Sequence, residues 1–346
     1  MADTRDSTRD GDTATLASAA GARHSRRSVV ASGIGAALFL AGAASPTRAF
    51  QDDEREVEDA FGTVIVPSRP ERVIAVRHHD IGNMLALGVT PVGIVPDASE
   101  FPLPEQAAML AGVANVRADT DWVLDIEKAM ALKPDLILEM SGQEGDPWNE
   151  ETCTLAREAV TTLCFPYGYT TDAEIKENMR HVGLALGLED QARAAIAAYD
   201  ARVAAVTAEI AEAGVGDLAV ASVIWQGEGN FFVPIDRSPN LILRTLGIAQ
   251  PSFQDDPNDS EVTLSFENAS FLNEADAVIV LLEGAGTQAE LEANPVWQLL
   301  DPVKSGQVLF LDANRWGWEY IPALMSMLDD VETQLVPLLS TKQTSS

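Results

Sequence analysis

The chain has 346 residues, enough for two domains with substantial cores, and 46% of them are hydrophobic, as in ordinary globular proteins. Its formal net charge is −30, and from Phe50 onward 17 basic residues face 49 acidic ones. That balance excludes nucleic acid as a partner, because such binding needs a basic footprint, and it fits a protein kept soluble in high salt.

Residues 1–49 read as a targeting segment rather than as part of the fold. A polar stretch leads to Arg26-Arg27, then to an apolar run rich in Ala and Gly, then to Thr47-Arg48-Ala49 as a cleavage site. Paired arginines before a weakly hydrophobic core resemble a twin-arginine export signal. The run from 28 to 45 is a marginal membrane span, and no Cys follows it for lipid attachment.

An acidic leader covers 51–59, and 61–67 reads as a short hairpin strand. Short apolar strands then alternate with helices. Strands are expected at 72–76, 91–95, 113–116, 135–140 and 163–165, with helices at 79–87, 104–110, 124–132, 150–162 and 171–186. Cys153 and Cys164 fall near the two ends of the fourth helix, which would keep them too far apart to bridge, so two buried free thiols are expected. Glu189–Ala213 is alanine-rich, with no Gly or Pro inside, acids at its start and Gly214 behind it. Its apolar stripe is Ile196, Tyr199, Val203, Val206 and Ile210.

After Gly214 the grammar repeats. Strands are expected at 218–225, 230–233 (a hairpin partner), 276–282 and 307–312, and helices at 240–246, 266–272, 291–300 and 322–339. Leu264-Ser265-Phe266-Glu267-Asn268-Ala269 parallels Leu124-Asp125-Ile126-Glu127-Lys128-Ala129, and each leads into an Asp before a buried strand. Matched halves imply an α/β fold of two Rossmann-like lobes with parallel sheets, joined by one long helix. The expected division is 1–49 signal, 50–188 first lobe, 189–213 linking helix and 214–346 second lobe.

The usual catalytic signatures are absent. Gly284-Ala285-Gly286-Thr287-Gln288-Ala289 meets a loose dinucleotide pattern, but so late in the chain it reads as a glycine turn. Ligands of parallel sheets bind beyond the carboxyl ends of the strands. There the sequence places Arg77, His78, Trp148, Tyr167, Tyr169, Trp225, Arg237, Arg315, Trp316 and Trp318. Aromatics with a few cations suit a bulky, partly flat, anionic ligand. The competing reading makes these aromatics sheet caps and pairs the arginines with carboxylates. His78 and His79 are adjacent, so their side chains diverge and direct metal ligation by both is disfavoured.

PSRPERVIAV at 67–76, MLALGVTPVGIV at 84–95, DIEKAMALKPDLIL at 125–138, LSFENASFLNEADAVIV at 264–280 and NPVWQLLDPVKSGQVLFLD at 294–312, with the long helix, resemble one family. It is the periplasmic ligand-binding proteins of ABC importers for ferric siderophores, haem and cobalamin. The resemblance implies a non-enzyme with no cofactor of its own, a monomer that clamps an iron–siderophore complex between two lobes and delivers it to a membrane permease. Haem, then cobalamin, are the alternative ligands; an exported chelatase or reductase, or a ligand-free interaction protein, are the alternative classes. Many members carry a docking Glu on each lobe; the aligned places hold Gly82 and Arg244, with Asp80 or Glu105 as substitutes.

Overall fold

The stretch expected to be a leader is a strand. In the computed structural model, which describes residues 53–343 apart from 102, 120–122, 140–146, 228 and 255–260, β1 (Glu54–Asp59) pairs antiparallel with β2 (Gly62–Pro67). The Asp59 carboxylate accepts the Phe61 N–H at 3.0 Å, and Gly62 supplies φ +118 at the turn. Alternation hides Val57 and Val66 and leaves Glu56 and Glu58 in water, while the buried Asp59 carboxylate pairs with Arg157. The export segment lies outside the described residues. Among the described residues no helix is long and apolar enough to cross a membrane.

Next come β3 (Val73–Ala75), α1 (His78–Ala86), β4 (Gly93–Ile94), α2 (Pro104–Leu110), β5 (Ala114–Asn115), α3 (Ile126–Ala131), β6 (Leu136–Glu139), α4 (Pro147–Ala159) and β7 (Thr162–Cys164). The five strands form a parallel sheet in the order β5-β4-β3-β6-β7. The chain enters at β3 and builds outward first one way and then the other. The crevice between β3 and β6 is therefore the topological switch point.

One expectation fails here. Cys153 and Cys164 form a disulfide, with Cα atoms 6.3 Å apart. The helix ends at Ala159 instead of continuing to residue 162, and β7 turns back along it. Eleven residues of continuous helix would have separated the two by roughly 16 Å.

α5 (Asp172–Leu186) has a reciprocal Thr171–Glu174 capping box and ends on Gly187 in the left-handed region. α6 (Glu189–Ala213) has the expected bounds and stops at Gly214, φ +69. Its buried stripe is Ala192, Ile196, Tyr199, Val206 and Ile210, with Val203 half-buried. That stripe shares one core with Ile175 and Met179 of α5 and with residues of the second lobe. Arg202 on α6 also reaches Asp329 at 2.8 Å and Glu332 at 2.5 Å, which raises its pKa through those hydrogen bonds.

The second lobe holds β8 (Val220–Trp225), β9 (Asn230–Pro234), α7 (Asn240–Thr245), β10 (Glu261–Ser265), a 3-10 helix (Phe266–Glu274), β11 (Ala277–Leu282), α8 (Gln288–Ala293), α9 (Asp301–Lys304), β12 (Val308–Asp312) and α10 (Ala313–Trp316). Its sheet runs β10-β9-β8-β11-β12. β8, β11 and β12 are parallel, while β9 and the unforeseen β10 add an antiparallel edge. β9 meets β8 only at Ile224 and Trp225. Where the two diverge, the buried Gln254 amide stands in for a strand, accepting from Ser222 N at 2.9 Å and donating to Ser222 O at 3.1 Å. The expected helix at 291–300 is instead α8, a 3-10 turn and then α9, interrupted at Asn294 and Leu300. The closing helix is α11 (Ile321–Asp330), a π turn (Val331–Leu335) and α12 (Val336–Gln343).

Candidate functional site

β3 and β6 both end at the switch point, and their last side chains meet there. Arg77, just beyond β3, donates from Nε to Glu139 Oε1 at 3.1 Å; Glu139 closes β6. The next two residues open α1, whose first turn is capped by Asp80 Oδ2 accepting the Arg77 N–H at 3.2 Å.

His78 is buried between Phe101 and Trp318, with ring centroids 5.0 and 4.0 Å away. Its Nε2 lies 3.6 Å from Glu100 Oε2. Burial, reinforced by His79 and Arg77, lowers its pKa to about 3, so the ring is neutral at any ordinary pH. His79 packs on Tyr167 at 4.2 Å and edge-on to Trp318 and Tyr320, both at 6.1 Å. Its Nε2 is 3.7 Å from Glu319 Oε2, and Glu319 Oε1 accepts the Ser238 N–H at 3.0 Å.

Tyr167 stacks on Tyr169 at 5.4 Å. Its hydroxyl is buried with no hydrogen-bond partner among the described residues. Burial, then Glu319 and Asp80, raises its pKa, so it remains a neutral phenol. The two tyrosines wall an open pocket of about 330 Å³, with Glu174, Glu177, Asn178 and His181 opposite.

This cluster is built from both lobes. His78, His79, Phe101 and Tyr167 come from the first; Trp318, Glu319 and Tyr320 come from the second. The seam beneath it is tight. α1 packs on α11, and the fully buried Tyr320 donates its hydroxyl to Gln106 Oε1 on α2 at 2.7 Å. Gly82 of α1 faces the Tyr320 ring so closely that a Cβ there would lie 2.3 Å from Cε2. Gly82 therefore sits inside the seam, not on an outer face. Asp80 is fully buried, out of reach of a docking protein, Glu105 is exposed, and Arg244 is exposed on α7.

The other sequence-derived residues go elsewhere. Trp225 is 4% exposed, packed on Phe231 and Phe266 inside the second lobe. The backbone of Gly286 lies against it, with room for no Cβ, so the late glycine motif serves this contact. Trp316 is fully buried and donates Nε1–H to Asp330 Oδ2 at 2.9 Å. Arg315 donates to the same oxygen at 2.8 Å, which fastens α10 to α11. Arg237 is half-exposed, 3.9 Å from Asp236. Trp148 falls in the first turn of α4, and its side chain lies outside the described residues.

Sequence reasoning missed Phe101, Glu100, Glu139 and Gln106. Glu139 carried one signal, as a charge closing an otherwise apolar strand. No group of three or more His, Cys, Asp or Glu among the described residues could hold a metal ion.

A family model described as periplasmic binding protein matches residues 73–314. The chain is 25% identical over 294 residues to the probable siderophore-binding lipoprotein YfiY of Bacillus subtilis, covering 81% of this chain and 87% of that one. It is 26% identical over 292 residues to the ferric-anguibactin-binding protein FatB of Vibrio anguillarum, covering 80% and 85%. Among solved structures, the fold is similar to the siderophore periplasmic binding protein from the fuscachelin gene cluster of Thermobifida fusca, with TM-score 0.66, 21% identity, and 80% and 98% of the two chains covered. It is also similar to SirA of Staphylococcus aureus complexed with staphyloferrin B, with TM-score 0.65, 22% identity, and 81% and 98% covered.

Proposed function

The chain belongs to the periplasmic binding protein family, and from that premise we propose that it captures a ferric siderophore outside the cytoplasm and delivers it to an ABC import permease. The observation that carries this reading is the two-lobed aromatic cluster. Rings from both lobes meet above the switch point, and beside them an unpartnered phenol, Tyr167, is ready to donate. Stacked rings with one or two polar groups suit a bulky chelate better than a small polar solute. Relatives named for ferric complexes support the ligand class.

The proposed contacts are Arg77, His78, Tyr167, Tyr169 and Trp318, with Trp148 at the rim. Arg237 and Arg315 stand further along the second lobe's strand ends. The chain acts as a monomer with no cofactor of its own. Residues 1–49 act as a twin-arginine export signal, followed by a first lobe to 188, the linking helix and a second lobe from 214. With one helix between the lobes and the Tyr320–Gln106 bond across the seam, binding closes the protein only slightly.

The test is a tryptophan-fluorescence titration of the purified chain with ferric siderophores, haem and cobalamin. A ferric siderophore should quench saturably without turnover, and Trp318→Ala should remove most of the quench. Tight binding of haem or cobalamin alone, or silence with the whole panel, would overturn the reading.

A further inference from the structure

The arginines that an anionic chelate would use already have carboxylates beside them. Arg77 donates to Glu139 at 3.1 Å and Arg315 to Asp330 at 2.8 Å, while Arg237 has the Asp236 carboxylate 3.9 Å away as a neighbouring charge, without a hydrogen bond. Arg117, near Glu100, is likewise matched at 3.7 Å. His78 brings no positive charge, being buried and neutral. Glu319 faces the cluster from the second lobe, and Glu174 and Glu177 line the pocket beside the tyrosines. Hydrogen bonds to Thr170 and Thr171 lower the Glu174 pKa in spite of partial burial, so that acid is ionised at neutral pH.

The site therefore offers ring faces and carboxylates, without a surplus of cation. Ring faces attract positive charge. A multiply negative ligand brought here would have to break arginine–carboxylate pairs or sit beside like charge in a partly dry crevice, and both oppose binding. The chain's overall charge of −30 adds a repulsive approach.

We propose that this site selects ferric chelates of zero or positive net charge, the trihydroxamate type, and rejects multiply anionic ones of the catecholate or citrate type. The inference rests on the ferric-siderophore reading above and adds the ligand's charge class to it. Three hydroxamates, each a monoanion, leave iron(III) neutral, and a pendant ammonium makes the complex cationic. Three catecholates, each a dianion, leave it triply negative. One prediction concerns the pairs themselves. Glu139→Gln releases Arg77 from its carboxylate and so weakens the discrimination, by about fivefold for a triply charged ligand roughly 10 Å away.

The experiment titrates the wild-type chain, at fixed salt, with ferrichrome (neutral), ferrioxamine B (cationic) and ferric enterobactin (triply anionic). The neutral or cationic complex should bind at least about tenfold more tightly than the anionic one. Raising the salt should narrow that gap, and so should Glu139→Gln. Tighter binding of the triply anionic complex would overturn the charge selection while leaving the siderophore reading intact. Binding of none of the three, nor of any other ferric siderophore, would overturn that reading and this inference with it. The wild-type panel decides the matter even if Glu139→Gln folds poorly.

Discussion

Gly82→Ala tests the seam between the lobes. A methyl group at Gly82 would lie 2.3, 2.6 and 2.8 Å from three carbons of the Tyr320 ring. Carbon atoms in contact sit about 3.5–4.0 Å apart, so the nearest overlap exceeds about 1 Å. The ring cannot swing aside freely, because it is fully buried and its hydroxyl is bonded to Gln106. Such overpacking costs about 3 kcal/mol at the upper end of its usual range. Replacing a helical glycine by alanine recovers about 1 kcal/mol, so a net loss of about 2 kcal/mol is expected. For a chain of this size that is about 4 °C in Tm. Thermal melts of Gly82→Ala, Tyr320→Leu and the double variant form the assay. With the ring removed, alanine at 82 should become stabilising, a coupling of about 3 kcal/mol. If Gly82→Ala stabilises the wild-type background as well, α1 and α11 are not packed as described and the reasoning fails.

Three more predictions concern other parts of the molecule. Native protein should show no titratable thiol, and the Cys153→Ala/Cys164→Ala pair should lose up to about 3 kcal/mol of stability, as expected for so short a loop; two reactive thiols in the unreduced protein would contradict the bridge. His78 has a folded pKa of about 3, below its ordinary 6.5. The unfolded chain therefore takes up this proton first on acidification, and stability falls as pH drops from 6.5 toward 3. Between pH 6.5 and 4.5 that amounts to about 2–3 kcal/mol, and His78→Gln should remove this part of the slope in denaturant melts. An equal slope in the variant would assign it to other groups. Finally, an excess of carboxylates this large should make Tm rise with KCl between low salt and molar salt; a flat profile would refute the link between composition and salt.

Legibility in the sequence followed the range of the interactions. α6 could be bounded to the residue because alanine content and Gly214 act locally. The matched halves and strand-end loops were also readable, since a parallel sheet ties apolar runs to intervening helices. β1 was hidden because its outer face is acidic and only Val57 is buried. β10 was hidden because its pairing with β9 bridges a long connection. The disulfide depended on where α4 stops, two or three residues that no periodicity decides. In the site, the loop positions of His78, Tyr167 and Trp318 followed from strand ends. The residues they pack against were not singled out: Phe101 follows a 3-10 turn in the loop after β4, Glu139 closes β6, and the burial of Trp225 and Trp316 depends on what packs over them.

The disulfide also bears on how the protein can be made. It joins the second turn of α4 to the strand that follows it, and the chain has only these two cysteines. Within one molecule there is a single way to pair them. Oxidation can thus go to one product without a shuffling enzyme, and the competing product is a covalent dimer between chains. Dilution should suppress that dimer. Refolding at low protein concentration under a mild oxidant should therefore recover the monomer without help from a disulfide isomerase.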